Sequence, residues 1–218
     1  IPIVNTLRKY PALGNTLQTL ADKGLDDYYR GSIAQKIADE HERLGGPVRL
    51  ADLNAHSAST VTPLSVKVTG ATLYSTTPPT QGIASLMILA IFDKLRLRHN
   101  IKEAEGFEYL HALVEATKQA FKVRNRHVVD PKTMAANGVS PDQFLSDAFI
   151  DQCVEAVDMQ KALPWPEKTI HGDTIWMGTA DSAGRMVSYI QSVYWEFGSG
   201  VVLQDTGIVW QNRGSSFL

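Results

Sequence analysis

Two hydroxyl residues near the C-terminal end could do nucleophilic chemistry. Thr174 opens the alternating run 174–180, and Ser192 lies near the end of a second run, 186–194. The runs are joined through Asp181-Ser182-Ala183-Gly184. If Ser182, Ala183 and Gly184 form a three-residue loop with Gly184 in the left-handed region, Asp181 pairs with Arg185. Counting outwards then sets Thr174 opposite Ser192, with Cβ atoms roughly 5 Å apart, close enough for the hydroxyls to share a hydrogen bond. A loop one residue longer would turn Ser192 to the other face. A threonine hydroxyl is a poor nucleophile and needs a base. Cutting the Asp173–Thr174 bond would supply one, because a free α-amino group titrates near neutrality while an amide nitrogen takes no proton. Cleavage would therefore be activation. Spacing alone does not assign this chemistry, since hydroxyl pairs on the wet face of antiparallel strands ordinarily do none.

The elements that must position this pair follow from periodicity. Residues 12–44 read as two amphipathic helices, the first stopped at Gly24 and the second capped by Ser32. A short turn covers 50–54. From 61 to 76 the period changes to two, predicting a strand pair that turns at Gly70. Pro78-Pro79-Thr80-Gln81-Gly82 breaks it, with a structural role as a wall beside the site. An apolar, buried helix is expected over 83–97, an amphipathic one over 103–124 ending before Asp130-Pro131, and a last helix over 141–160 with Pro141 in its first turn. Pro164-Trp165-Pro166 begins a flexible, exposed lead-in to Thr174. Trp176 and Trp195 could line a pocket, but strand aromatics usually pack a core, and that is the expectation for both. The order of helices, strand pair, helices and strands predicts an α+β fold with helices on an antiparallel sheet.

Composition excludes several classes. Hydrophobic residues are 44% and charged residues 20% of the 218, an ordinary balance for a globular protein. The net charge of -2 gives no bias towards nucleic acid or an anionic membrane. No apolar run reaches the roughly 20 residues of a membrane helix. The six histidines show no metal-ligand spacing, and the single Cys153 can form neither an internal disulfide nor a cysteine cluster, so no metal or cofactor is expected. Gly198-Ser199-Gly200 lacks phosphate-loop spacing. A reducing, cytoplasmic setting fits one lone cysteine, with the periplasm as the alternative. The first residues, Ile1-Pro2-Ile3-Val4, show no signal-peptide character and read as the interior of a longer chain.

An ordered set of motifs then carries a resemblance. Tyr29-Arg30-Gly31-Ser32, Leu50-Ala51-Asp52-Leu53, Pro78-Pro79-Thr80-Gln81-Gly82 and Glu115-Ala116 with Arg124 and Asp130-Pro131 precede Gly172-Asp173-Thr174. After it come 180–188, Phe197-Gly198-Ser199-Gly200, Thr206-Gly207 and Asn212. Together these resemble the γ-glutamyltranspeptidase family over nearly the whole chain. The resemblance implies an N-terminal-nucleophile hydrolase with an αββα sandwich, here incomplete, and a precursor that cuts itself between Asp173 and Thr174. Residues 1–173 would be the second half of a large-subunit-like segment and 174–218 the start of a small-subunit-like one, the two fragments staying associated as parts of one domain. Thr174 would be the nucleophile, with Ser192 beside it.

The resemblance also implies where substrate is read. The family positions that hold the α-amino and α-carboxylate of a γ-glutamyl group fall on Tyr194, Arg213 and Ser216. Here a serine stands where the family has an acid, and a cation stands near it. A site that loses a carboxylate and gains a guanidinium favours an anionic group. The expected substrate is a small amide bearing a carboxylate, of the oxamate or glutaryl-amide type. The alternatives are a γ-glutamyl hydrolase or transpeptidase for glutathione-like substrates, and a non-catalytic, unprocessed relative. The resemblance sets a further carboxylate-binding arginine and the oxyanion-hole segment outside residues 1–218.

Overall fold

A computed structural model of the chain describes residues 4–165 and 174–216. The elements in order are α1 (Pro11–Lys23), α2 (Asp27–Arg30), α3 (Ser32–Arg43), α4 (Leu50–Ala55), β1 (Leu64–Val68), β2 (Ala71–Ser75), α5 (Gly82–Arg98), α6 (Phe107–His127), α7 (Pro131–Ala136), α8 (Asp147–Glu155), β3 (Ile175–Ala180) and β4 (Met186–Gln191). Single 3-10 turns cover Pro141–Leu145 and Arg213–Ser216. Two compact units result, one formed by residues 1–58 with 169–218 and the other by 59–168.

In the second unit the apolar density of α5 becomes the core. Ile83, Met87, Ile91 and Leu95 are fully buried, and α6 closes over them with Ala112, Ala116 and Ala120. The small alanine face lets α6 approach α5 closely. Truncating Ile91 to alanine would cost roughly 2–5 kcal/mol. β1 and β2 pair antiparallel, Leu64 opposite Ser75 and Val68 opposite Ala71, and Leu64 joins the same core. The run after β2 lines a depression of about 830 Å³ together with Pro131, Met134 and Val139.

Three local expectations are corrected. Ser32 is the first helical residue rather than the cap: the Asp27 carboxylate takes the N–H groups of Ser32 and Ile33, at 3.1 and 2.9 Å. The helix expected over 141–160 is a 3-10 turn followed by α8, because Ser146 leaves the helical basin and caps α8 from its hydroxyl. Asp130-Pro131 starts a helix, α7, as well as ending one. Asp130 accepts the Lys132 and Thr133 N–H groups, and Pro131 occupies the first turn.

The lead-in after α8 is held at its start. The buried Glu115 carboxylate accepts the Leu163 N–H at 3.2 Å, and Lys118 Nζ donates to the Leu163 carbonyl at 2.7 Å. Trp165 lies against Phe121, ring centroids 6.4 Å apart.

The first unit has its own core, built from Ile33, Ala34 and Ile37 of α3, Leu53 of α4 and Leu203 of a late loop. Two hydrogen-bonded ties join its early helices to that loop. Thr16 donates to the Thr206 carbonyl at 2.8 Å, and Glu40 accepts the Gln204 and Asp205 N–H groups at 2.6 and 3.1 Å. Among the described residues, no helix is long and apolar enough to cross a membrane.

Candidate active site

The β3–β4 hairpin is built by its turn. Asp181 accepts the N–H groups of Ala183 and Arg185 at 3.0 Å each, and its second oxygen takes Arg185 Nε at 2.7 Å. Those contacts, led by the Arg185 N–H, hold the Asp181 carboxyl below its ordinary pKa. Gly184 sits at φ +78, a region a glycine enters without steric cost. The loop is thus Ser182-Ala183-Gly184, and the Asp181 N–H donates to the Arg185 carbonyl at 3.0 Å.

Register follows from that turn. Ala180 faces Met186, Trp176 faces Ile190 and Ile175 faces Gln191. One step further out the Thr174 hydroxyl donates to Ser192 Oγ at 3.1 Å. The alternation puts Thr174 on the face that carries Trp176 and Ile190.

Ser192 is fixed from its other side. Its Oγ also accepts the Tyr194 N–H, at 2.9 Å. Tyr194 has φ +82, a left-handed conformation costing a non-glycine residue roughly 1–3 kcal/mol, so the chain bends sharply just after Ser192. The Arg213 guanidinium lies 5.4 Å from the Tyr194 ring centre, within range of a cation–π attraction, and its Nη2 donates to the Ser192 carbonyl at 3.4 Å.

Residues 193–212 form a long loop closed on itself. At its base the Asn212 N–H donates to the Val193 carbonyl and Asn212 Oδ1 accepts the Trp195 N–H, both at 3.1 Å. Further along, Trp210 donates its N–H to Val201 and Leu203 donates to Ile208, each at 2.9 Å. The tip carries Leu203, Gln204, Asp205 and Thr206, the residues tied to α1 and α3.

The structure therefore brings Thr174, Ser192, Tyr194 and Arg213 together. Ser216 ends the 3-10 turn that begins at Arg213. Asp173 lies outside the described residues. Trp176 and Trp195, expected in a core, are 63% and 50% exposed instead; the Trp176 indole N–H donates to Ser188 Oγ at 2.8 Å. Both faces of the hairpin are exposed, so its alternation has no buried side to pack. Asn212 and Glu40 are organising residues that spacing did not single out for a role. An Asn between loop residues and an acid on an amphipathic helix give no local signal, because their partners are far away in sequence. Among the described residues no group of three or more His, Cys, Asp or Glu side chains is placed to hold a metal.

Comparison with known proteins completes the picture. Residues 2–218 match the family model of gamma-glutamyltranspeptidase. The chain is 44% identical over 209 residues to the oxamate amidohydrolase proenzyme of Klebsiella pneumoniae subsp. pneumoniae, covering 96% of this chain and 38% of that protein. It is 34% identical over 208 residues to the glutathione hydrolase-like YwrD proenzyme of Bacillus subtilis, covering 94% and 38%. Among solved structures, cephalosporin acylase from Bacillus halodurans superposes with a TM-score of 0.85 at 31% identity, covering 98% of this chain and 38% of that one. The chain thus spans less than two fifths of the length of these relatives. Its mixture of helices and antiparallel strands is the α+β class of the N-terminal-nucleophile hydrolases. By the extent of these matches, this chain belongs to the gamma-glutamyltranspeptidase family.

Proposed function

We propose that the chain supplies the nucleophile of an amidohydrolase that activates itself by cutting before Thr174 and then hydrolyses a small carboxylate-bearing amide, oxamate-like or glutaryl-amide-like. The observation that carries this reading is the Thr174 hydroxyl held at 3.1 Å from Ser192 Oγ. In the first step Thr174 Oγ attacks the Asp173 carbonyl carbon and the C–N bond breaks. The hydroxyl proton ends on the nitrogen, which becomes the free α-amino group. The acyl group is left as an ester on Oγ that water hydrolyses to release the Thr174 hydroxyl and the Asp173 carboxylate. In turnover the hydroxyl proton passes to that amine as Oγ attacks the substrate amide. The tetrahedral intermediate expels ammonia or an amine, which carries the proton away. Water then cleaves the acyl-threonine.

Charge supports the substrate class. Arg213 stands beside Tyr194 and the Ser192 carbonyl, where a guanidinium can hold a carboxylate through charge-assisted hydrogen bonds. Residues up to 173 would end the large fragment and Thr174 would begin the small one. The ties from Thr16 and Glu40 to the late loop support their staying associated. A reducing, cytoplasmic setting fits the buried thiol of Cys153. The name of the Bacillus subtilis relative, a glutathione hydrolase-like proenzyme, supports a second reading, a γ-glutamyl hydrolase of glutathione-like substrates.

The test offers oxamate, glutaryl anilide and γ-glutamyl anilide to the full-length protein and its Thr174→Ala variant, with intact masses recorded alongside. Two fragments, the smaller beginning at Thr174, and turnover of oxamate or the glutaryl amide are expected. An active chain that stays whole would defeat the mechanism. Preference for γ-glutamyl anilide would move the assignment to the second reading.

A further inference from the structure

We infer that Glu40 is a positioning residue for the substrate-reading side of the site, an inference that rests on the proposed role of the Thr174 site. Glu40 lies on α3, far from Thr174 in sequence, and its side chain is 2% exposed. A buried carboxylate is costly unless its oxygens are satisfied. Here Oε1 takes the Gln204 N–H at 2.6 Å and Arg43 Nη2 at 2.9 Å, while Oε2 takes the Asp205 N–H at 3.1 Å. A carboxylate receiving two adjacent backbone N–H groups grips a loop at a defined angle, since both donors and both oxygens must align.

The gripped loop is the one whose base forms the site. Its tip is held by Glu40, by Thr16 on the Thr206 carbonyl and by Leu203 in the core. Its base holds Tyr194, whose N–H fixes Ser192, and Asn212, which precedes Arg213. Rungs at Leu203–Ile208, Val201–Trp210 and Val193–Asn212 connect the two ends. Thr174 itself is set by the hairpin turn, a separate device. Loosening the tip should therefore disturb Tyr194 and Arg213 more than the nucleophile.

The experiment uses the full-length protein, its Glu40→Gln variant and a Leu53→Ala variant, with temperature chosen so that the two variants have equal global stability. Leu53 packs in the same core and makes none of the loop's hydrogen-bonded ties. Amide hydrogen exchange should accelerate about tenfold at Tyr194 and Asn212 in Glu40→Gln, as well as at Gln204 and Asp205, and stay unchanged at the base in Leu53→Ala. For a carboxylate-bearing amide, KM should rise about tenfold in Glu40→Gln with kcat within about twofold, the mark of lost ground-state and transition-state binding alike. Exchange confined to Gln204 and Asp205, or an equal KM shift in Leu53→Ala, would overturn the inference. If the parent protein hydrolyses none of the amides while the exchange pattern appears, the proposed function fails and the coupling of tip to base stands.

Discussion

The Thr174 hydroxyl donates to Ser192 Oγ at 3.1 Å, and that same oxygen accepts the Tyr194 N–H at 2.9 Å. The partner of the proposed nucleophile is thus oriented by backbone, which fixes the geometry of the pair within the chain itself. Replacing Ser192 by alanine removes an acceptor from both donors. We expect kcat to fall about tenfold to a hundredfold, in line with one lost hydrogen bond in a partly buried site. Initial rates on a processed enzyme measure it, and a change under twofold would take Ser192 out of the chemistry.

Thr174→Ala and Thr174→Ser separate the hydroxyl from its methyl group. The alanine variant should remain a single chain and show no turnover. The serine variant keeps an Oγ opposite Ser192 and should be cut, with residual activity. Time-resolved intact mass reads both, and cleavage of the alanine variant would point to another protease.

Arg213 offers a charge test. Arg213→Met keeps much of the stem beside Tyr194 while removing the guanidinium. For a carboxylate-bearing amide KM should rise about tenfold to a hundredfold, the worth of a hydrogen bond to a charged group. A neutral amide of similar size should be affected little. Equal losses on both amides would assign Arg213 a structural task.

His41 makes stability depend on pH. Burial, then the nearby Arg49 charge, lowers its pKa from the ordinary 6.5, and Glu40 acts weakly in the other direction. The folded state therefore prefers the neutral ring, which lies edge-on to Trp210 with centroids 4.4 Å apart. The sign is definite: this contribution is complete above pH 6.5 and is lost as pH falls through the lowered folded value. Urea midpoints should drop between pH 7.5 and 5, and by less in His41→Phe. Identical pH profiles would remove His41 as a cause.

Two glycines in the same backbone region should respond differently to alanine. Gly184 at φ +78 has open space where a Cβ would stand, and Gly207 at φ +68 has the Leu13 nitrogen 2.4 Å from that position. Gly184→Ala should cost roughly 1–2 kcal/mol from backbone strain alone. Gly207→Ala adds a collision with backbone, and should exceed it by about 1–3 kcal/mol. Thermal melts of the two variants check the order.

The hairpin was legible because its determinants are local: a glycine-containing loop, an aspartate to fold it and alternation on either side decide the register. α5 was legible for the same reason, since no polar face interrupts it. Ser146 and Asp130 were not, because a serine or aspartate inside an apolar pattern signals equally well a surface residue, a cap or a break. The role of Glu40 was invisible, since it depends on the backbone of Gln204 and Asp205 arriving from the far end of the chain. The exposure of Trp176 ran against expectation because alternation reports that a strand has two faces, and says nothing of whether anything lies over them.

That uncovered hairpin has a consequence for the protein's behaviour in a tube. Met186 and Ile190 are 81% and 66% exposed, and neither strand contains a lysine or a proline. The outer edge of each strand has no neighbouring strand among the described residues. Unpaired edges beside apolar side chains are a template for strand addition, and the charges that usually discourage it are missing. Handled alone, these 218 residues should scatter light in a concentration-dependent way, and a hydrophilic substitution at Ile190 should clear the solution without unfolding it.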